Sequence, residues 1–172
     1  LWKDERSVME ILLHDVTRAL MREYYEDFQN DPDVFMDMSR FTEYHYNPAV
    51  VDARFHKQQF AADRKNFLIM ADGKPVGEVG LKHIDNEKKQ AELFIHLQND
   101  AVKNKGIGTK AELLLLDYAF NVMYMEFVFA NVLKKNTRSQ RVLEKVGFEY
   151  VGQGGKFRYY QYTRKGYEHR KQ

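Results

Sequence analysis

The stretch Lys103-Asn104-Lys105-Gly106-Ile107-Gly108-Thr109-Lys110 sets two glycines one residue apart, between an extended segment and an amphipathic helix. The first amides of a helix have no intrahelical acceptor and the helix dipole adds positive potential there, so a glycine turn at that point can hold an anion against bare backbone. Lys103, Lys105 and Lys110 flank the turn and Thr109 adds a hydroxyl, which makes a diphosphate the natural guest. The spacing is not that of the Walker loop, which needs four residues between its glycines and then Lys-Ser/Thr, nor that of the dinucleotide fingerprint. A glycine pair alone suits a plain strand-to-helix turn equally well.

Composition narrows the setting. With 172 residues, 44% of them hydrophobic, the chain can build one sizeable core, and neither a linker nor a repeat interrupts it, so a single domain over 1–172 is expected. Lys and Arg number 27 against 25 acids, a balance of +2 that does not argue for nucleic acid. The bias is local: Glu26, Asp27, Asp31, Asp33 and Asp37 gather early, while Lys156, Arg158, Arg164, Lys165, Arg170 and Lys171 crowd the end. There is no cysteine, which removes disulfides, thiolate nucleophiles and zinc-thiolate sites together. The opening LWKDERSVMEILLHD is charged where a signal peptide would be apolar, and Leu113 to Leu116 is too short a run to span a bilayer. A cytoplasmic protein with no membrane partner and no metal is expected.

The elements that must position the glycine pair follow from periodicity and turn chemistry. MEILLHDV reads as a strand, and TRALMREYYEDFQN as a helix stopped by Asp31-Pro32. Asn47-Pro48 starts a second helix running to about Ala62. NFLIMADGKPVGEVGLKHI is a hairpin about Asp72-Gly73, and QAELFIHL is a further strand with Leu93, Ile95 and Leu97 on one face and Glu92, Phe94 and His96 on the other. From Thr109 the period becomes helical, with Ala111, Leu114, Leu115, Tyr118, Ala119 and Val122 as the apolar stripe. EFVFANV is a strand, Asn136 caps a short helix that Gly147 ends, and FEYVGQGGKFRYYQY closes the chain as a hairpin. The order β-α-α-β-β-β-α-β-α-β-β gives a mixed α+β sheet with one parallel crossover around the glycine turn.

AELFIHLQNDAVKNKGIGTKAELLLLDYAF resembles motif A of the GNAT superfamily of acyl-CoA-dependent N-acetyltransferases, whose pattern is Gln/Arg-x-x-Gly-x-Gly/Ala after the fourth strand; here Lys103 takes the first place. NTRSQRVLEKVGF, Asn136 to Phe148, is similar to the family's motif B, and the form is closest to the branch of ribosomal-protein and small-amine acetyltransferases. The resemblance implies a mostly antiparallel central sheet of about seven strands flanked by about four helices, with a V-shaped splay between strands 4 and 5. It implies acetyl-CoA as cofactor, its pantetheine lying in the splay against backbone groups of His96, Leu97 and Gln98. The amides of Lys103, Asn104, Lys105, Gly106, Ile107, Gly108 and Thr109 would hold the diphosphate, with Asn131 and Asn136 on the other side. Asn136 also reads as a helix cap and nothing more.

Acetyl transfer to a primary amine needs a base, because a lysine-type amine with a pKa of about 10.4 is protonated at neutral pH, and it needs donors for the developing oxyanion. An amide within Ile95 to Leu97 is the expected oxyanion donor. Glu92 stands sixteen positions before Gly108, as the base does in the family members with a strand-4 glutamate, and His96 on the same face could relay a proton. Leu143 stands where many members place the tyrosine that protonates the thiolate, leaving Tyr159, Tyr160 or water for that role. Tyr24, Tyr25, Glu26, Tyr44, His45, Tyr46 and Tyr159 are the candidate residues for an amine acceptor, a small molecule or a peptide. Two readings stand against an enzyme: a CoA-binding sensor that lost its chemistry, which Leu143 favours, and nucleic-acid binding by the basic end of the chain. An aromatic, strand-ended C-terminus could make the edge of a homodimer.

Overall fold

The computed structural model describes residues 8–172; the first seven, most of the charged opening, lie outside the described residues. The chain runs β1 (Ile11–Asp15), α1 (Arg18–Glu26), α2 (Pro48–Gln59), β2 (Lys65–Ala71), β3 (Lys74–Asp85), β4 (Gln90–Leu97), α3 (Ile107–Asn121), β5 (Phe127–Leu133), α4 (Thr137–Val146), β6 (Glu149–Gly154), β7 (Phe157–Thr163) and α5 (Arg164–Lys171). One seven-stranded sheet takes the order β1-β2-β3-β4-β5-β7-β6. Every neighbouring pair is antiparallel except β4 and β5. No described helix is long and apolar enough to cross a membrane.

Local chemistry explains most boundaries. Thr17 caps α1 by accepting from the Leu20 amide, and Asn47 caps α2 through the amides of Ala49 and Val50 with Pro48 at the first helical place. Asp72 and Gly73, both left-handed, turn β2 into β3. α1 ends at Glu26, short of the expected stop at Asp31-Pro32. Tertiary contacts intervene: Gln98 Nε2 donates to the Tyr24 carbonyl at 2.7 Å and Asn99 Nδ2 to that of Asp27 at 3.0 Å, so the last carbonyls of the helix are satisfied from beyond β4.

α3 begins two residues earlier than expected, and the C-terminal helix α5 was not foreseen. Thr163 caps it, and its buried Tyr167 stacks on Phe120 with centroids 4.8 Å apart. Several cations of the basic end of the chain are paired within the fold, although Lys156, Lys165, Arg170 and Lys171 remain exposed. Arg164 Nε pairs with Glu126 at 3.2 Å, Lys171 pairs with Asp117 at 2.9 Å, and Lys156 donates to the Met36 carbonyl at 2.7 Å.

The sheet is covered on both faces. One core packs Ile69, Val79, Leu81, Leu93 and Val128 against α3, α4 and α5; the other packs Leu68 and Met70 against Met21, Tyr24, Tyr25 and Val51 of α1 and α2. The buried stripe of α3 is Ala111, Glu112, Leu115, Leu116, Ala119 and Phe120, while Val122, expected on it, is exposed. A carboxylate therefore sits on an apolar stripe.

Gly80 shows how closely β2, β3 and β4 pack. A Cβ there would stand 2.2 Å from the Lys65 carbonyl oxygen and 2.8 Å from the Phe94 ring. Gly80→Ala is expected to lower the unfolding free energy by roughly 2–3 kcal/mol, the range for overpacked interiors, seen as a lower urea midpoint at constant m. An unshifted midpoint would show that the strands can separate there at no cost.

Candidate active site

β4 and β5 pair only at Gln90 with Phe127, Ala91 with Val128 and Glu92 with Phe129. Both strands continue, but each keeps only its outer partner: β4 pairs with β3 as far as Leu97, and β5 with β7 as far as Leu133. Between them the sheet opens as a V whose apex is Glu92. The Gln98 amide donates to the Val76 carbonyl on β3 at 2.9 Å. Antiparallel alternation then turns the amides of Ile95 and Leu97 the other way, into the opening.

At the open end of β4 the chain makes a short 3-10 turn, Asp100–Val102, and reaches the glycine pair. Asn104 and Gly106 are left-handed, with φ of 60° and 76°, the kind of succession that builds anion-binding nests. The amides from Asn104 to Thr109 reach no backbone acceptor among the described residues. Gly106 is required by its φ. Gly108 is different: a Cβ there would meet Ile95 and Val142 at ordinary distances of 3.9 and 4.0 Å, so the fold does not demand a bare position. Gly108 lines the cavity, where a small residue leaves the backbone open to approach.

Lys103 departs from its expected part. Its ammonium is held by Asp31 at 2.6 Å and Asp100 at 2.8 Å, its side chain is 8% exposed, and its amide donates back to Asp100. Gln98 is similarly committed, its amide to Val76, its carbonyl to the Gln29 amide and its side chain to Tyr24. Leu97, Ile95 and Asn136 do face the cleft. Asn136 caps α4 through the Ser139 amide at 3.1 Å and also lines the opening. Asn131 lines the opening from β5.

A cavity of about 330 Å³ runs under the glycine turn, walled by Tyr25, Phe35, Tyr44, His96, Glu112 and Asn136 among others. A second, of about 310 Å³, holds Lys82, Glu92, His96, Asn131 and Leu143. His96 opens into both, and the protein packed around its ring desolvates it enough to hold the imidazole below its usual pKa. Glu92 is tied by Lys82 at 3.3 Å and by His83 Nδ1 at 2.8 Å. His83 lies in the β-bulge between Lys82 and Asp85 with φ of 52°, its side chain 69% exposed, so the Glu92 carboxylate has a path to solvent. Glu92 and His96, four residues apart on a strand, stand about 13 Å from one another and cannot exchange a proton directly.

The expected acceptor residues do not converge. Tyr24 is wholly buried in the α1–α2 core; its neighbour Tyr25, also in that core, and Tyr44 line the cavity under the glycine turn. Tyr46 packs against that core, Glu26 is exposed on α1, and Tyr159 lines a third recess beside Glu92. Tyr160 is in the core with its hydroxyl on Glu144.

Sequence reasoning missed two carboxylates. Glu78, directly across the ladder from His96, is buried and accepts from Tyr25 at 3.3 Å, from Gln58 at 3.1 Å and from Asn66. Glu112 lines the cavity under the glycine turn at 1% exposure, and its Oε2 has no hydrogen-bond partner. Burial alone raises its pKa to about 8. A glutamate inside the apolar stripe of α3 was the available signal.

A seven-stranded sheet split beside its one parallel pair, with a nest of free amides where the fourth strand meets a helix, is the architecture of an acyl-CoA-dependent acetyltransferase. The family profile described as "Acetyltransferase (GNAT) domain" matches residues 10–149, and the chain belongs to that family. Spermidine N(1)-acetyltransferase of Escherichia coli (strain K12) is 28% identical over 102 residues, 59% of this chain and 52% of that protein. The probable N-acetyltransferase YjcK of Bacillus subtilis (strain 168) is 35% identical over 82 residues, 48% of this chain and 45% of that one, so the chain spans about half the length of these relatives. The spermidine N-acetyltransferase of Vibrio cholerae in complex with CoA and spermine has the same fold, with a TM-score of 0.74 over 92% of this chain and 98% of that one at 19% identity.

Acetyl-CoA, the family's cofactor, fits the residues present. The free amides from Asn104 to Thr109 suit its diphosphate, the unclaimed amides of Ile95 and Leu97 suit a strand-like arm, and the bare Gly108 leaves room for close approach. Gly108→Ala is expected to fold normally and keep acetyl-CoA binding, whereas Gly108→Glu folds but loses at least about tenfold in affinity by calorimetry, a charge repulsion of about 1.4 kcal/mol or more. Equal binding by both would remove the cradle assignment.

Glu112 also makes a prediction about stability. Its folded pKa of about 8 lies above the usual 4.5, so the unfolded chain releases the proton first. The burial penalty is thus absent below about 4.5, grows by roughly 1.4 kcal/mol per pH unit, and is complete above about 8. Glu112→Leu is expected to be more stable than the parent, by a margin that widens from pH 5 to pH 8 in urea titrations. A margin independent of pH would show that the carboxyl is not desolvated.

Proposed function

We propose that this chain transfers an acetyl group from acetyl-CoA to a primary amine of a small molecule or peptide. The observation that carries the reading is the splay itself: two strands part at Glu92, leaving inward amides on one side and a nest of free amides at the open end. Bound acetyl-CoA supplies an activated acyl carbon. The chain supplies placement, an oxyanion donor and a path for a proton. The nest from Asn104 to Thr109 holds the diphosphate, and the amide of Ile95 or Leu97 donates to the oxygen on which charge develops.

Glu92 takes the proton that the ammonium must lose. It stands at the apex of the splay, and His83, 2.8 Å away and exposed, carries the proton on to solvent. His96 is the competing base: it opens into both cavities and is neutral at pH 7, and any acid limb it imposes lies below the ordinary imidazole value of about 6.5. Buried Leu143 offers no proton to a departing thiolate, and of the two phenols in the recess beside Glu92, Tyr159 is the one whose hydroxyl is not held by Glu144. The same Leu143 supports the second reading, a CoA-binding sensor without turnover. Of the acceptor residues, Tyr25 and Tyr44 are the rings that can receive an amine. The reading implies the cytoplasm as compartment, in keeping with a chain that has no cysteine.

Thiol release from acetyl-CoA across a panel of amines tests this, without background from protein thiols. Glu92→Gln is expected to lower kcat by about 10² to 10⁴ with acetyl-CoA affinity unchanged, and His96→Gln by less than about tenfold. The reverse pattern assigns the base to His96. Tight cofactor binding with no amine accepted supports the sensor.

A further inference from the structure

Glu112 is the side chain the fold itself does not explain. It lies on the buried stripe of α3 between Ala111 and Leu115, its Oε2 meets no donor, and a leucine would suit the stripe better. An unmatched carboxyl in an apolar interior is a net cost, and buried polar groups in native proteins are almost always satisfied by something. One helical turn separates it from Gly108, so the two project from the same side of α3, and both line the cavity under the glycine turn.

The cavity's other charged or titratable groups come from every element around it: Tyr25 of α1, Asp31 and Tyr44 of the segment between α1 and α2, Arg54 of α2, His96 of β4, Lys103 ahead of α3, and Arg138 of α4. None of them pairs with Glu112 or moves its pKa; burial is the sole cause of the shift. Of the cations that line the cavity, Lys103 is the nearest in sequence, and it is already engaged by Asp31 and Asp100.

We infer that Glu112 is a cofactor-reading residue: its un-ionised carboxyl donates a hydrogen bond to acetyl-CoA beneath the diphosphate nest, and its ionisation repels the cofactor. This rests on the acetyl-CoA reading of the cleft. The sign follows from the ionisation. Below about pH 8 the group is neutral and can donate; above it the group carries a negative charge beside an anionic ligand, so affinity falls as pH rises through that value. Binding then takes up a proton on the alkaline side. The residue becomes a pH-dependent gate on cofactor loading, separate from the group that takes the proton from the amine.

Calorimetric titration of acetyl-CoA into the parent, Glu112→Gln and Glu112→Leu at pH 6.5 and pH 9, in buffers of different ionisation enthalpy, decides the matter. Glutamine keeps a donor but cannot ionise, and leaves every other titrating group in place, so the difference from the parent isolates Glu112. Expected are equal affinities for parent and Glu112→Gln at pH 6.5. At pH 9 the parent weakens relative to Glu112→Gln by at least about tenfold, with proton uptake by the parent alone, the size of one charge repulsion of about 1.4 kcal/mol. Glu112→Leu, folded by its cooperative melt, binds more weakly than the parent at pH 6.5. Parallel pH profiles for parent and Glu112→Gln, or parent-like binding by Glu112→Leu at pH 6.5, overturn the inference while leaving the acetyl-CoA reading intact. Failure of all three proteins to bind at either pH overturns that reading and the inference together.

Discussion

Two strands that part leave backbone donors and acceptors facing nothing, and protein interiors tolerate few such groups. In this chain β4 and β5 hold each other for three residue pairs and then separate. Everything else in the molecule accommodates that separation. The outer neighbours β3 and β7 keep each strand extended, α3 and α4 close one face, and α1 and α2 close the other. The opening survives because each half of the sheet has its own core to rest on.

The charges are arranged around the same opening. Acids that lie near it are mostly matched: Glu92 by Lys82 and His83, Glu78 by three neutral donors, Asp31 by Lys103. A desolvated carboxylate is tolerable when donors surround it, as they do Glu78. Glu112 has none, and it lies at the point where the cavity passes under the nest. The contrast between two buried glutamates, one fully satisfied and one orphaned, separates a residue that serves the fold from one that does not. The Asp31–Lys103 pair also fixes the loop after α1 over the mouth of the cavity, joined there by Lys135 on the Pro32 carbonyl at 2.8 Å.

Features governed by neighbours in sequence were legible there. The cap at Asn136, the Asp72-Gly73 turn and the glycine pair before α3 each follow from chemistry within a few residues, and the family resemblance extended them to the order of the sheet. Features settled by packing were not. Tyr24 and Tyr25 are equal in sequence and both reach the core, yet about 100° of helix rotation leaves only Tyr25 with a side on the cavity wall. The side chain of Lys103 had to meet Asp31, far away in the chain, before its charge could be assigned. α5 was hidden because a strand runs straight into its cap at Thr163 and a single buried ring, Tyr167, anchors it. Glu112 was passed over as a polar gap in an apolar pattern, which is how a residue kept for a ligand looks before its surroundings are known.

The short parallel ladder also bears on the order in which the chain assembles. β2 and β3 close through a two-residue turn, and β3 and β4 and then β6 and β7 are joined by loops nearly as short, so these pairings cost little chain entropy. The β4–β5 ladder joins segments separated by the whole of α3 and needs the crossover in place first. The two half-sheets can therefore nucleate separately, and the seam between them closes only once the crossover is in place. With three residue pairs, that seam is the shortest ladder in the sheet, and segments held by few contacts open locally at low free energy. A ligand that bridges the two walls of the cleft therefore reinforces the sheet at the joint that the fewest residue pairs hold.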